Sequence, residues 1–342
     1  MGSVKDLKII KDATAENHGA GRFIYSDRYS VFDWGEMPDL IPGKGAAIAI
    51  LGSYFFEKLE QLGIFTHYTG LVEMDRAKKL ADVKNPSNIM EIKLLRVVKP
   101  ALSGNQYDYS MYKNAKGGFL IPLEVIYRNS LPPGSSVFKR LKNGEITPRD
   151  LGLNYMPEPN QKLSTPIYDV STKLEITDRY MSWDEALDIS GMTDREIKEI
   201  KELTNTVNNL ITAEFARIGL VNEDGKIEVG YDVNRSLMVV DVLGTLDECR
   251  FTCDGLPVSK EIARIFYRDT EWSRAIDEAK KKDRQNWKDI CRVEPGLLPL
   301  KLKQSISQIY AGCTNEITGR EWFSDIPPMN EILKEIKGQL GL

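Results

Sequence analysis

The chain has 342 residues, 42% hydrophobic and 28% charged, enough to bury one large core or two medium ones. A net charge of −4 gives no general attraction to nucleic acid or an anionic membrane, so any anion site must be a local cluster of cations. Two histidines (His18 and His67) and four scattered cysteines leave little material for a thiolate or imidazole metal site, a histidine-based triad or a disulfide framework. Chemistry must therefore run on carboxylates, cations, backbone amides and metal. The longest apolar run near the N-terminus, residues 46–51, is too short for a bilayer span or a signal segment, which points to the cytoplasm.

Residues 6–10 and 22–25 read as short strands, with residues 17–21 as the turn between them. Gly43-Lys44-Gly45 leads into a helix through Leu62, where Ile48, Leu51, Phe55, Leu59 and Leu62 recur at helical spacing. Residues 91–98 and 119–128 read as buried strands separated by a polar, tyrosine-rich insertion, 101–118. A proline-rich stretch, 130–168, reads as a long irregular segment of the kind that covers functional sites. Two helices then open with capping boxes, Ser182 with Glu185 and Thr193 with Glu196. In the second, Ile197, Ile200, Leu203, Val207, Leu210, Ile211, Phe215 and Ile218 form one apolar stripe that belongs in a core. A hairpin follows: strands 226–231 and 236–243 around Asp232-Val233-Asn234-Arg235. The rest is helical, over 259–268, 271–289, 300–312 and 329–340.

The hairpin carries the most chemistry. Side chains alternate across a strand, so Asp224, Lys226 and Glu228 share a face, and pairing brings Asp241 close to Glu228. Two carboxylates and an ammonium on one face suit a hydrated divalent metal with a phosphate. The same pattern describes a solvated face with cross-strand ion pairs, and pattern alone favours that. Three other segments are polar in a suggestive way. Gly19-Ala20-Gly21-Arg22 offers close backbone approach and a cation to a triphosphate, or is a plain hairpin turn. Arg128-Asn129 with residues 133–140 offers a guanidinium, hydroxyls and loop amides to a sugar phosphate, or is an exposed basic loop. Residues 166–175 place hydroxyls, an ammonium and carboxylates in a loop that suits a second polar substrate, or is merely a polar loop preceding a helix.

Taken in order, these segments resemble the SAICAR synthetase family, phosphoribosylaminoimidazole-succinocarboxamide synthase. Asp27-Arg28-Tyr29-Ser30-Val31-Phe32-Asp33 is similar to its D-R-x-S-x-[FY]-D, and Ile41-Pro42-Gly43-Lys44-Gly45 to its I-P-G-K-G. Glu124-Val125-Ile126-Tyr127-Arg128-Asn129 resembles E-V-x-x-R-N, and Ser171-Thr172-Lys173-Leu174-Glu175 resembles S-T-K-x-E. Asp224-Gly225-Lys226-Ile227-Glu228-Val229-Gly230 matches D-x-K-x-E-[FLV]-G, followed by Asp241, Asp247 and Arg250-Phe251 in family positions.

The resemblance implies a two-lobed α+β fold with antiparallel sheets, flanking helices and an ATP cleft. Residues 1–128 would cover ATP, 129–268 would supply substrate and metal groups, and 269–342 would be a helical C-terminal extension. It implies a cytoplasmic ligase of purine biosynthesis using ATP, Mg²⁺, carboxyaminoimidazole ribonucleotide and L-aspartate, with no nucleic-acid or membrane partner; a small-molecule kinase with the same ATP lobe and a non-catalytic nucleotide-binding protein are the alternatives. A homo-oligomer stays open. Glu228 and Asp241 match the metal ligands on the ATP phosphates. Lys226, Arg250 and Asp224 match groups around the imidazole nucleotide, and Arg128 and Ser135 its phosphate pocket. Ser171 and Lys173 are the substrate groups of the second loop. Gly19, Gly21 and Arg22 match the phosphate-covering loop, and Lys93 lies on the strand bordering the adenine site. The chain departs from the family at Ala20, where many members have lysine, at Val242, where glutamate is usual, and at Thr252, where tryptophan is usual.

Overall fold

A computed structural model describes residues 4–104, 106–283 and 286–342. Its first part is a five-stranded antiparallel sheet built from β1 (Lys5–Lys11), β2 (Gly19–Tyr25), β3 (Tyr68–Glu73), β4 (Arg76–Lys78) and β5 (Ile89–Leu94), in the order β1-β2-β5-β3-β4. Helix α1 (Lys44–Gln61) covers one face, burying Ile48, Leu51, Phe55, Phe56 and Leu59. Ile48, Leu51, Phe55 and Leu59 follow the expected apolar spacing, but Leu62 lies just past the helix end and is exposed; Asp27 accepts from the amides of Gly43 and Gly45 at the helix start. The expected turn at residues 17–21 lies earlier, because Gly19 already pairs with Leu94. A Cβ on Gly19 would sit 2.4 Å from the Lys11 carbonyl oxygen, so close approach of the neighbouring chain accounts for the glycine.

The second sheet has seven strands. Between the sheets come the hairpin β6 (Ala101–Ser103) and β7 (Gln106–Asp108) and the short helix α2 (Ser110–Lys113). The second sheet's strands are β8 (Phe119–Leu131), β9 (Gln161–Thr172), β10 (Tyr180–Met181), β11 (Val221–Tyr231), β12 (Leu237–Val240), β13 (Cys249–Cys253) and β14 (Leu256–Pro257). Their order is β10-β9-β8-β11-β13-β14, with β12 also on β11. β8 pairs with β9 and β11 along its length, so the change of sheet precedes Phe119 and does not fall at residue 128.

The stretch expected to be irregular is largely ordered. Pro132 and Pro133 follow the end of β8, and Ser135 caps α3 (Ser136–Lys142). β9 then begins at Gln161 and tolerates Pro166 because the β8–β9 register shifts there. Helices α4 (Trp183–Ser190) and α5 (Asp194–Ala216) start at the expected caps; Thr193 and Glu196 complete a capping box. On α5 Ile197, Ile200, Val207, Ile211 and Phe215 are buried, and Phe215 stacks on Phe251 with ring centres 3.8 Å apart.

The remaining helices are α6 (Glu261–Arg268), α7 (Glu271–Lys282), α8 (Trp287–Ile290), α9 (Leu300–Thr318) and α10 (Met329–Leu340). The helix expected over 271–289 is thus two, and residues 284–285 lie outside the described set. α9 continues past Gly312, which lies buried against Ile326 and Met329, and ends at the left-handed Gly319. α9 packs against α1 and shares one continuous core with it, so the C-terminal helices close the first sheet's helix layer. Two bridges, Thr66 with Val239 and Arg96 with Phe119, join the sheets. Among the described residues no helix is long and apolar enough to cross a membrane.

Candidate active site

The period of two sets the site. On β11 Ile227 and Val229 point into the core over α5, which leaves Asp224, Lys226 and Glu228 on the opposite face. Register then selects their neighbours. Asp224 lies opposite Arg128 of β8 and Arg250 of β13, and Glu228 lies opposite Glu124, itself opposite Ser171. One sheet face thereby gathers Asp224, Lys226, Glu228, Arg128, Arg250, Glu124, Ser171 and Asp169.

Its charges divide into two clusters. In the first, Arg250 grips Asp224 with Nε at 2.8 Å and Nη2 at 2.6 Å. Arg128, 1% exposed, donates to Asp224 (3.5 Å), Asp169 (3.3 Å), Ser136 (3.1 Å) and Ser135 (3.4 Å), and its Nε has no hydrogen-bond partner among the described residues. Asp169 also receives Arg140 at 2.5 Å. Arg250 is the partly exposed member, and a side chain at Gly134 would stand 3.7 Å from its Nη1. The Pro-Gly-Ser-Ser loop and two guanidiniums therefore form one cationic pocket, with Arg128 fixed beneath and Arg250 open to solvent.

The second cluster holds the carboxylates. Lys173 donates to Glu228 (2.6 Å) and Glu124 (3.0 Å); Lys226 lies 2.9 Å from Glu124, 3.3 Å from Glu248 and 3.7 Å from Glu228. Burial and the nearby Asp241 push the Glu228 carboxyl up to about 8, against the pull of Lys173 and Lys226. Burial acts on Asp241 in the same sense, but Lys5 and Lys173 hold it well below the usual range. Burial opposes charge on Lys226, yet Glu248, Glu124 and Glu228 keep its ammonium above its ordinary value.

Asp241 follows β12 in a left-handed conformation, φ 68°. His67 holds it there, with Nε2 3.1 Å from the Asp241 carbonyl oxygen. A carbonyl only accepts, so that nitrogen carries the proton, and burial pushes the ring down to about 3 and keeps it neutral. Lys5, on β1 of the other sheet, pairs with the Asp241 carboxylate.

Two carboxylates pressed together under burial, each held by an ammonium, are a donor set that a divalent cation relieves. Their oxygen-only character fits Mg²⁺, which takes one or two carboxylates and fills its shell with water and phosphate oxygens. Among the described residues no group of three or more acidic, histidine or cysteine side chains is placed to hold a metal alone.

The first sheet's expected groups lie elsewhere. Arg22 donates to Glu91 (3.0 Å) and pairs with Asp75 at the β3–β4 turn. Strand alternation turns it, with exposed Lys93 opposite Ala20, away from the face of Phe23 and Gly21. Gly19 and Gly21 are within β2. Sequence reasoning missed Glu124, Glu248, Lys5 and the Asp169–Arg140 pair as site members. Glu124 was legible, because a spacing of four along β8 puts it on the face of Arg128. Lys5 had no local signal, since its partner is 236 residues away.

The chain is similar to known proteins along most of its length. A family model for SAICAR synthetase matches residues 10–278. A putative phosphoribosylaminoimidazole-succinocarboxamide synthase of Archaeoglobus fulgidus is 49% identical over 98% of this chain and 99% of its own length. The synthase of Thermoplasma acidophilum is 32% identical over 88% of this chain and 93% of its own. Among solved structures, a SAICAR synthetase in complex with ADP superposes with a TM-score of 0.56 at 23% identity, covering 87% of this chain and 99% of that one. The SAICAR synthase of Saccharomyces cerevisiae complexed with SAICAR gives 0.60 at 19% identity, over 94% of each chain; these two show a shared fold. The whole-length kinship and the family match lead to one assignment: this chain belongs to the SAICAR synthetase family.

Proposed function

We propose that the chain joins L-aspartate to the carboxylate of carboxyaminoimidazole ribonucleotide with ATP, through an acyl phosphate, giving SAICAR, ADP and phosphate in purine biosynthesis. Membership of the family supports the reaction. The observation that carries the division of labour is the split of one sheet face into a guanidinium pocket and a carboxylate–ammonium cluster.

In this reading the nucleotide's phosphate sits at Arg250 and the Gly134–Ser135 loop, with Arg128 as the fixed charge beneath. Its carboxylate then points along the face toward Lys226. That carboxylate oxygen attacks the terminal phosphorus of ATP, and ADP leaves. The aspartate amine attacks the activated carbon, and phosphate departs with the former carboxylate oxygen. Lys226 and Lys173 offset the negative charge that builds on the transferring group. Glu228 and Asp241 would hold Mg²⁺, which when bound neutralises phosphate oxygens. No protein nucleophile is required. Residues 1–118 would cover ATP, while the second sheet supplies the substrate groups.

The test is ADP release measured with each substrate omitted in turn, followed by one turnover with ¹⁸O in the nucleotide carboxylate. We expect ADP only when both nucleotide and aspartate are present, and one labelled oxygen in the released phosphate. Unlabelled phosphate would exclude the acyl phosphate; a stable phosphorylated nucleotide would make the protein a kinase.

A further inference from the structure

The reaction as proposed leaves the tyrosine-rich insertion, 101–118, without a task. Its hairpin and α2 are seated on the core of the second sheet: Tyr112 is 1% exposed, its ring centre lies 5.5 Å from that of Phe119, and its hydroxyl donates to the Val98 carbonyl. Tyr109 packs beside Tyr112, with ring centres 6.1 Å apart. From this base two hydroxyls reach the loop between β9 and β10. The Tyr109 hydroxyl donates to Glu175 Oε1 at 2.9 Å, and the Tyr107 hydroxyl accepts from the Ile176 amide at 3.0 Å. Arg179 holds the same Glu175 carboxylate through two nitrogens, at 3.3 and 3.1 Å. Apolar packing does little for this loop, since Ile176 is 81% exposed. The loop begins with Lys173, whose ammonium reaches Glu228 and Glu124. Near its end lies Asp178, whose carboxyl is raised by desolvation and by Glu124 and lowered by Lys173 and Lys226. Both ends of the loop thus stand in the field of the carboxylate–ammonium cluster, and its middle is tied to the insertion.

We propose that the insertion is a positioning element for phosphoryl transfer: Tyr107 and Tyr109 fix the 173–179 loop and through it set the Lys173 ammonium over Glu124 and Glu228. The two tyrosines act only through Lys173, so they are positioning residues. An ammonium on a long flexible stem stabilises a transition state only where its backbone is held, and a misplacement of about 1 Å costs up to about a hundredfold in rate. Three ties hold it. The Lys173 amide donates to the Pro122 carbonyl at 3.0 Å, and the loop's return is closed by the Thr172 amide on the Arg179 carbonyl, also at 3.0 Å. Those two belong to the sheet and its hairpin; the third, at Glu175 and Ile176, comes from the insertion. The proposal rests on the ligase reading, in which Lys173 offsets charge on the transferring group.

Steady-state ADP release with all three substrates tests it, for Tyr107→Phe, Tyr109→Phe and the double variant, each alone and combined with Lys173→Met. Phenylalanine keeps each ring and removes only the hydroxyl. The double variant should lose on the order of ten- to a hundredfold in kcat, with KM for each substrate little changed. Combined with Lys173→Met it should cost nothing further, because the tyrosines then have no ammonium to place. Glu175→Gln, which still accepts from Tyr109, should keep most of the kcat that Glu175→Ala loses; this pair decides the matter if the double variant does not fold, and equal losses in the two would overturn the proposal. So would a double variant with wild-type kcat, whether or not KM rises, or one whose loss adds in full to that of Lys173→Met. A wild type that releases no ADP overturns the ligase reading itself; a wild type that does, beside an unaffected double variant, overturns only the positioning role.

Discussion

Glu228→Gln should make the protein more stable without nucleotide while impairing its function. Glu228 is 4% exposed, and burial with Asp241 nearby moves its carboxyl from an ordinary 4.5 up to about 8. The native state therefore holds this proton to higher pH than the unfolded chain, so stability falls as pH rises between those values. Each pH unit in that window is worth about 1.4 kcal/mol, so the proton that Glu228 takes up on folding costs up to about 3 kcal/mol at pH 7. Glutamine needs no such proton but weakens the 2.6 Å contact with Lys173, which keeps Glu124 at 3.0 Å. A net gain of up to about 1.5 kcal/mol remains once a charge-assisted contact is subtracted. Urea unfolding of both proteins at neutral pH, without metal or nucleotide, measures it. The wild-type deficit should grow up to about pH 8 and then stay level. MgATP should stabilise the variant less than the wild type, because ligand stabilisation follows affinity. A variant less stable than wild type by more than about 1 kcal/mol would refute the reasoning and make the Lys173 ion pair dominant.

Arg250→Ala should raise KM for the imidazole nucleotide roughly ten- to a hundredfold and change KM for ATP far less; Asp224 keeps Arg128, so the fold should survive, and equal effects on both substrates would remove Arg250 from the phosphate pocket. Arg128→Ala should also raise KM for the nucleotide, but with a loss of stability of about 2–4 kcal/mol in urea, because its guanidinium lies within the sheet face and ties Asp224 to Asp169. His67 is held neutral down to about 3, so the unfolded chain binds the extra proton between that value and 6.5 and stability drains away as pH falls through the window. The slope should approach 1.4 kcal/mol per pH unit, roughly, and His67→Gln should flatten it in acid unfolding curves. Lys44→Met removes the partner 2.7 Å from buried Asp247, leaving Tyr310 at 2.6 Å as its side-chain hydrogen-bond partner among the described residues; a loss of about 3–5 kcal/mol in urea unfolding is expected.

Much of the site was legible because strand chemistry is local. A period of two placed Asp224, Lys226 and Glu228 on one face before any fold was known, and the same period extends to Glu124 and Arg128 on β8. Helix starts were equally local, since the caps at Ser182 and Thr193 are set by residues three apart. The long proline-rich segment misled, because proline is read as a breaker unless one knows that a register shift accommodates Pro166. Gly312 misled similarly: nothing local tells that α10 covers it.

By itself the sequence determined the family, through its ordered motifs, and the polar face of β11 and the apolar stripe of α5, through short-range periodicity. Tertiary structure alone decided which charges meet. The bridge between Thr66 and Val239 brings the first sheet onto the end of β12 and so sets Lys5 and His67 against Asp241. It decided that Arg22 faces outward to Asp75, that Arg128 lies beneath the pocket and Arg250 at its mouth, and that α9 reaches Asp247 through Tyr310. Such pairings depend on sheet register and on which side of a strand is covered, and both are settled only when segments hundreds of residues apart pack together.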